Sequence, residues 1–124
     1  GMPAATGAAV AGQGRRVINA QADGSAMYTI QSLWTQAREK LPVTTIILNN
    51  RKYQILIGEY FSVGANPGPT ALNMLDLGNP DLDFVKMANS MGVEAARATT
   101  LEQCAALMQQ SFASDGPFLI DLII

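Results

Sequence analysis

The feature that most constrains the fold is a pair of short apolar runs with an amphipathic segment between them. Val17 to Gln21 and Val43 to Leu48 both have strand length. The second is β-branched without alternation, the pattern of a strand covered on both faces. Between them, Met27, Ile30, Leu33, Trp34, Ala37 and Leu41 recur at helical spacing, which predicts one helix from Ser25 with a single buried side. Arg38 and Lys40 suit its last turn, and Pro42 blocks continuation. A strand, a helix and a strand in this order favour a right-handed crossover between parallel strands. Two polar ends, Asp23-Gly24-Ser25 and Asn49-Asn50, then open onto the same sheet edge, where open parallel sheets bind ligands.

The rest of the chain continues the alternation. Pro3 to Ala11 is small and apolar, suited to a closely packed helix that Gly12 and Gly14 end. Tyr53 to Phe61 reads as a short helix, and residues 64 to 79, rich in Gly and Pro, as a long irregular loop of the kind that serves as a lid. Asn79-Pro80-Asp81 has the composition of a helix start, with Leu82, Val85, Ala88 and Met91 following at helical spacing. Val93 to Ala98 reads as a weaker strand. Thr100-Leu101-Glu102-Gln103 forms a capping box for a helix reaching about Ser114, with Leu101, Cys104, Leu107, Met108 and Phe112 inward. Phe118 to Ile124 reads as a last strand, with Asp121 a satisfied polar group within it. The expected architecture is therefore α/β: three layers, α/β/α, around a mainly parallel sheet.

A chain of 124 residues is one domain with room for a layered core. A net charge of −2 and only two adjacent basic pairs, Arg15-Arg16 and Arg51-Lys52, both read as solvated surface, give no footing for nucleic acid. No histidine is present, so neither a zinc-type site nor a histidine general base is on offer. The single cysteine, Cys104, suits the core and a reducing compartment, and no apolar run is long enough to span a membrane. Nothing near the start has a signal-peptide layout, so a cytoplasmic protein is expected. Trp34 and the methionines read as packing. Glu59 and Tyr60 read as surface, or as the lining of a channel beside the site.

Taken alone, Asp23-Gly24-Ser25 most often caps a helix and Asn49-Asn50 most often makes a turn. Their joint occurrence across one βαβ unit, with a carboxylate, an amide and an anion-friendly turn, suits magnesium holding a diphosphate. The wording between and around them carries a resemblance. Ala22-Asp-Gly-Ser-Ala-Met-Tyr-Thr-Ile-Gln-Ser-Leu-Trp-Thr-Gln-Ala-Arg and Val43-Thr-Thr-Ile-Ile-Leu-Asn-Asn-Arg-Lys-Tyr-Gln-Ile-Leu resemble the thiamine-diphosphate motif of acetolactate synthase large subunits and benzoylformate decarboxylases. Met2-Pro3-Ala4-Ala5 and Gly116-Pro117-Phe118-Leu119-Ile120 extend the likeness over nearly the whole chain.

The resemblance implies a magnesium ion ligated by Asp23, Asn50 and the backbone carbonyl of Lys52, with Gly24, Ser25, Ala26 and Tyr53 binding the cofactor and Asn49 fixing the turn. It implies chemistry on 2-oxo acids supplied by the cofactor. It also implies a glutamate on a separate pyrimidine-binding domain of the same or another subunit, and hence a homo-oligomer. Residues 1–124 would be the single C-terminal cofactor domain, truncated at its N-terminal side, without pyrimidine-binding and middle domains, and inactive alone. The family's motif usually opens with glycine where this chain has Ala22. That methyl is harmless if the backbone is extended there and clashes if the diphosphate or a neighbouring chain approaches closely. Two other readings stand beside this one: a non-catalytic remnant that pairs with another subunit, and a receiver-like signalling domain. The second needs an acidic pair and a late lysine that this sequence lacks.

Overall fold

A computed structural model describes residues 1–124. The elements run α1 (Met2–Ala11), β1 (Val17–Ala22), α2 (Asp23–Ala26), α3 (Ser32–Arg38), β2 (Val43–Asn49), α4 (Gln54–Ser62), α5 (Pro69–Met74), α6 (Phe84–Ser90), β3 (Glu94–Ala98), α7 (Leu101–Ala113) and β4 (Phe118–Ile123). The four strands form one sheet in the order β1-β2-β4-β3, parallel throughout. The expected three-layer α/β architecture is present.

One sheet face is covered by α1, α3 and α6. Met2, Ala26, Leu33, Phe84 and Ala88 pack there on Ile47 and Leu119. Ala5 and Ala9, one turn apart, let α1 approach Val43 closely. The opposite face carries α7, whose Cys104, Leu107 and Met108 pack on Ala98, Phe118, Ile120 and Leu122. Because α7 covers β2, β3 and β4, Ile18 on β1 is left 53% exposed, and the outer edge of β1 pairs with no strand.

Several sequence expectations are corrected. The helix expected from Ser25 to Leu41 is split: between α2 and α3 the backbone makes i→i+3 bonds, such as Thr29 N–H to Ala26 O and Leu33 N–H to Ile30 O. Tyr28-Thr29-Ile30, aromatic and β-branched, is a poor α-helical run. Leu33 takes the inward position, so its neighbour Trp34 points outward, 54% exposed, with the Arg38 guanidinium 5.4 Å from its ring centroid.

The region read as one irregular loop contains α5, with Pro69 at its first position. Residues on either side of α4 and α5 clasp antiparallel: Tyr53 N–H donates to Leu75 O and Leu77 N–H to Arg51 O. The next helix starts not at Pro80 but at Phe84, where burial of Phe84 in the core leaves Asp83 to cap the helix by accepting from the Lys86 N–H. On α7, Leu101 and Phe112, both expected inward, are exposed and half-exposed; Ser111 takes the inward slot. Thr100 caps the helix as expected, while Gln103 accepts from Thr99 N–H rather than from Thr100.

Arg16 is not solvated surface. Its guanidinium donates to Thr44 Oγ1, Ser111 Oγ and the carbonyls of Ser114 and Gly116, tying β1 to β2 and to the turn before β4. Burial lowers its pKa from the ordinary arginine value, partly countered by Asp115.

Candidate metal-diphosphate site

The parallel register Ala22↔Leu48 brings the end of β1 beside the end of β2, so the two polar termini emerge together. A cavity of about 110 Å³ opens there, lined by Ala22, Asp23, Gly24, Ser25, Asn50, Lys52, Tyr53, Gln54 and Ile55. Six of the seven residues singled out from the sequence therefore share one cavity. Ala26 does not: its methyl is fully buried in the core with Met2 and Leu33, so its side chain faces away.

Asp23 is 2% exposed and has no cationic side chain within ion-pair distance. Its Oδ1 accepts from Gly24 N–H at 2.8 Å and its Oδ2 from Arg51 N–H at 2.6 Å. A carboxylate oxygen offers two acceptor directions, so each keeps one for a further partner. Buried charges are ordinarily paired or bound to metal. Asn50 Oδ1 accepts from Lys52 N–H at 3.1 Å and likewise retains a lone pair. Lys52 lines the cavity from an exposed stretch of chain beside Asp76.

No cluster of three or more His, Cys, Asp or Glu is present, which argues against an all-protein cage. One carboxylate, one amide and one carbonyl is instead the sparse oxygen set of magnesium shared with phosphates and water. The residues fit that ion. Gly24 fits a close approach: a Cβ there would stand 2.5 Å from the Tyr53 ring, which lies over it. Ala22, where the family has glycine, is extended at φ −70°, ψ 149°, so its methyl puts no strain on the backbone as it lines the cavity.

Behind the cavity, Asn49 fixes the turn as expected, through a connection to Asp121 and Arg97 that the motif does not reveal. Asn49, 2% exposed, donates from Nδ2 to Asp121 Oδ1 at 2.9 Å and accepts at Oδ1 from Arg51 N–H at 3.2 Å. Arg97 donates Nε and Nη2 to Asp121 Oδ2 at 2.9 and 2.8 Å. The available signal was one aspartate in the otherwise apolar run Phe118 to Ile124. Glu59 and Tyr60 lie elsewhere, lining an open depression on α4 with Leu56 and Val63.

A cavity at the carboxyl ends of two neighbouring parallel strands, lined by a carboxylate, an amide and a hydroxyl, is the layout of a ligand-binding α/β domain. In agreement, residues 1–122 match the family model described as thiamine pyrophosphate enzyme, C-terminal TPP binding domain, and the chain belongs to that family. IlvX of Mycobacterium tuberculosis, whose name assigns it provisionally to acetolactate synthase large subunits, is 54% identical over 126 residues, spanning 100% of this chain and 24% of its own. Benzoylformate decarboxylase of Pseudomonas aeruginosa is 40% identical over 98% of this chain and 22% of its own. Among solved structures, the thiamine diphosphate-dependent 4-hydroxybenzoylformate decarboxylase of Rhodococcus jostii RHA1 superposes with a TM-score of 0.84 at 40% identity, covering 98% of this chain and 22% of that one. The chain thus spans about a quarter of the length of these relatives.

Proposed function

We propose that this chain is the cofactor-anchoring part of a thiamine-diphosphate-dependent 2-oxo-acid enzyme of the acetolactate synthase kind, holding the diphosphate through Mg²⁺. The observation that carries the reading is Asp23: a buried carboxylate without a cation, facing a cavity lined by Asn50 and Lys52. Asp23 and the Asn50 amide oxygen would ligate the ion with the Lys52 carbonyl. Gly24 and Ser25 would meet the diphosphate, and Tyr53 would close the cavity over Gly24. When bound, the cofactor supplies the electron sink for cleaving a 2-oxo acid.

On this reading the chain does not act alone. About 110 Å³ takes an ion and part of its shell, against about 300–1,000 Å³ for a complete small-molecule site. The remainder of the cofactor and the 2-oxo acid belong to a pyrimidine-binding domain of the same or another subunit, within a homo-oligomer. Two exposed apolar surfaces support association: Ile18 on the uncovered side of β1, and Leu56, Phe61 and Val63 on or next to α4, a helix with no buried residue. No helix is long and apolar enough to cross a membrane, and the buried free thiol of Cys104 suits the cytoplasm.

Calorimetric titration of thiamine diphosphate with and without Mg²⁺ tests the proposal. Binding should require the metal and be lost in Asp23→Asn. Absence of binding at millimolar cofactor would favour the non-catalytic remnant.

A further inference from the structure

We propose that Asp121, held by Arg97, is a positioning residue that sets the metal-binding turn through Asn49. The inference rests on the metal-diphosphate reading above and concerns residues with no access to the ion.

A continuous chain of bonds runs from the sheet edge to the cavity. Arg97 on edge strand β3 places Nε and Nη2 on one oxygen of Asp121, at 2.9 and 2.8 Å. The other oxygen, Oδ1, receives Asn49 Nδ2 at 2.9 Å. A carboxylate only accepts, so the Asn49 amide has one allowed orientation: nitrogen toward Asp121, oxygen toward Arg51. That oxygen then shares the Arg51 N–H with Asp23 Oδ2, at 3.2 and 2.6 Å. Arg51 sits at φ +60°, a left-handed conformation unfavourable for a residue with a Cβ. Its N–H, fixed from two sides, holds that conformation, and Arg51 lies between Asn50 and Lys52, the two ligands contributed by this turn.

Asp121 is fully buried, on a strand whose other residues are apolar. Burying a charge there is costly, and an apolar side chain would fill the space with less desolvation. Directional control of the Asn49 amide is something an apolar residue cannot provide.

Asp121→Asn breaks the logic at constant shape. An amide that presents oxygen to Asn49 must point nitrogen at Arg97, donor against donor. Reversed, it turns the Asn49 nitrogen onto the Arg51 N–H. Two readouts apply to the full chain: Mg²⁺ affinity in the presence of thiamine diphosphate, and hydrogen exchange of the Arg51 amide without either ligand. Asp121→Asn should weaken Mg²⁺ about tenfold, the low end of the effect of removing a partner directly behind a ligand, because Asp121 acts one step further back through Asn49. It should also accelerate Arg51 exchange about tenfold. Ile120→Val, on the other face of the same strand, should change neither beyond about twofold, as expected of a conservative core change. Should Asp121→Asn not fold, Arg97→Lys, which keeps the charge, and Arg97→Gln, which loses it, carry the test: Lys should retain affinity and protection and Gln lose both.

Unchanged affinity and exchange in Asp121→Asn overturns the inference, as does equal loss in Ile120→Val. If the unaltered chain binds no Mg²⁺, the site reading fails instead. The positioning role is then decided by Arg51 exchange alone, where unchanged protection in Asp121→Asn overturns it.

Discussion

Gly24→Ala is expected to destabilise the chain, although alanine is the better helix former. Gly24 lies in α2 at a backbone angle open to any residue, so relief of glycine's flexibility alone would stabilise by up to about 1 kcal/mol. Against this, the new Cβ would stand 2.5, 2.6 and 3.4 Å from Cε1, Cδ1 and Cζ of Tyr53. The first two distances are far inside van der Waals contact, and forced overpacking costs about 1–3 kcal/mol. The clash outweighs propensity, giving a net loss of about 1 kcal/mol, or roughly 4 °C in Tm for a chain of this size. A double-mutant cycle isolates the cause. In a Tyr53→Ala background the ring is gone, so Gly24→Ala should become neutral or stabilising, with a coupling of about 1–3 kcal/mol. Urea unfolding followed by far-UV circular dichroism reads each corner, with unchanged m-values confirming that the states compared are the same. Additive effects, or a stabilising Gly24→Ala with Tyr53 in place, would refute the close packing of ring on glycine.

Arg16→Met should cost about 2–3 kcal/mol in urea unfolding, since it removes charged donors from Thr44, Ser111 and two carbonyls. Asp83 has its pKa lowered by the Lys86 backbone N–H and then by the Lys86 side chain. Its stabilisation is therefore fully present above the ordinary carboxylate value and lost as pH falls through the depressed one. The Tm advantage of the unaltered chain over Asp83→Asn should shrink on acidification through that window; a pH-independent difference would contradict it. Ile18→Lys should leave the stability of the isolated chain within about 0.5 kcal/mol, as for an exposed site. The same change should reduce association in sedimentation analysis if the open side of β1 is an interface.

The fold was legible where period and burial coincide. The unbroken β2 run lies between β1 and β4 with helices on both faces, and Thr100, Asp23 and Asn49-Asn50 sit at the element ends their chemistry predicts. Errors came where two residue types compete for one role. Asn79 and Asp83 are both good caps, and only the packing of Phe84 selects the second. Leu33 and Trp34 are both apolar neighbours on one helix, and only one can face the sheet. At the site, six of the cavity-lining residues were readable from the motif, but Ala26 was not placed, because its burial depends on where Met2 and Leu33 arrive. Arg97 and Asp121 were invisible as partners because their pairing depends on β3 lying beside β4, a register no local signal carries.

The central claim is that Asp23, Asn50 and Lys52 converge on one divalent ion. Paramagnetic broadening of backbone amide signals by Mn²⁺, used as the Mg²⁺ stand-in with thiamine diphosphate present, tests it most directly. Broadening should centre on Asp23–Ser25 and Asn50–Tyr53 and be displaced by excess Mg²⁺. Broadening centred elsewhere, or none at all, would contradict the account.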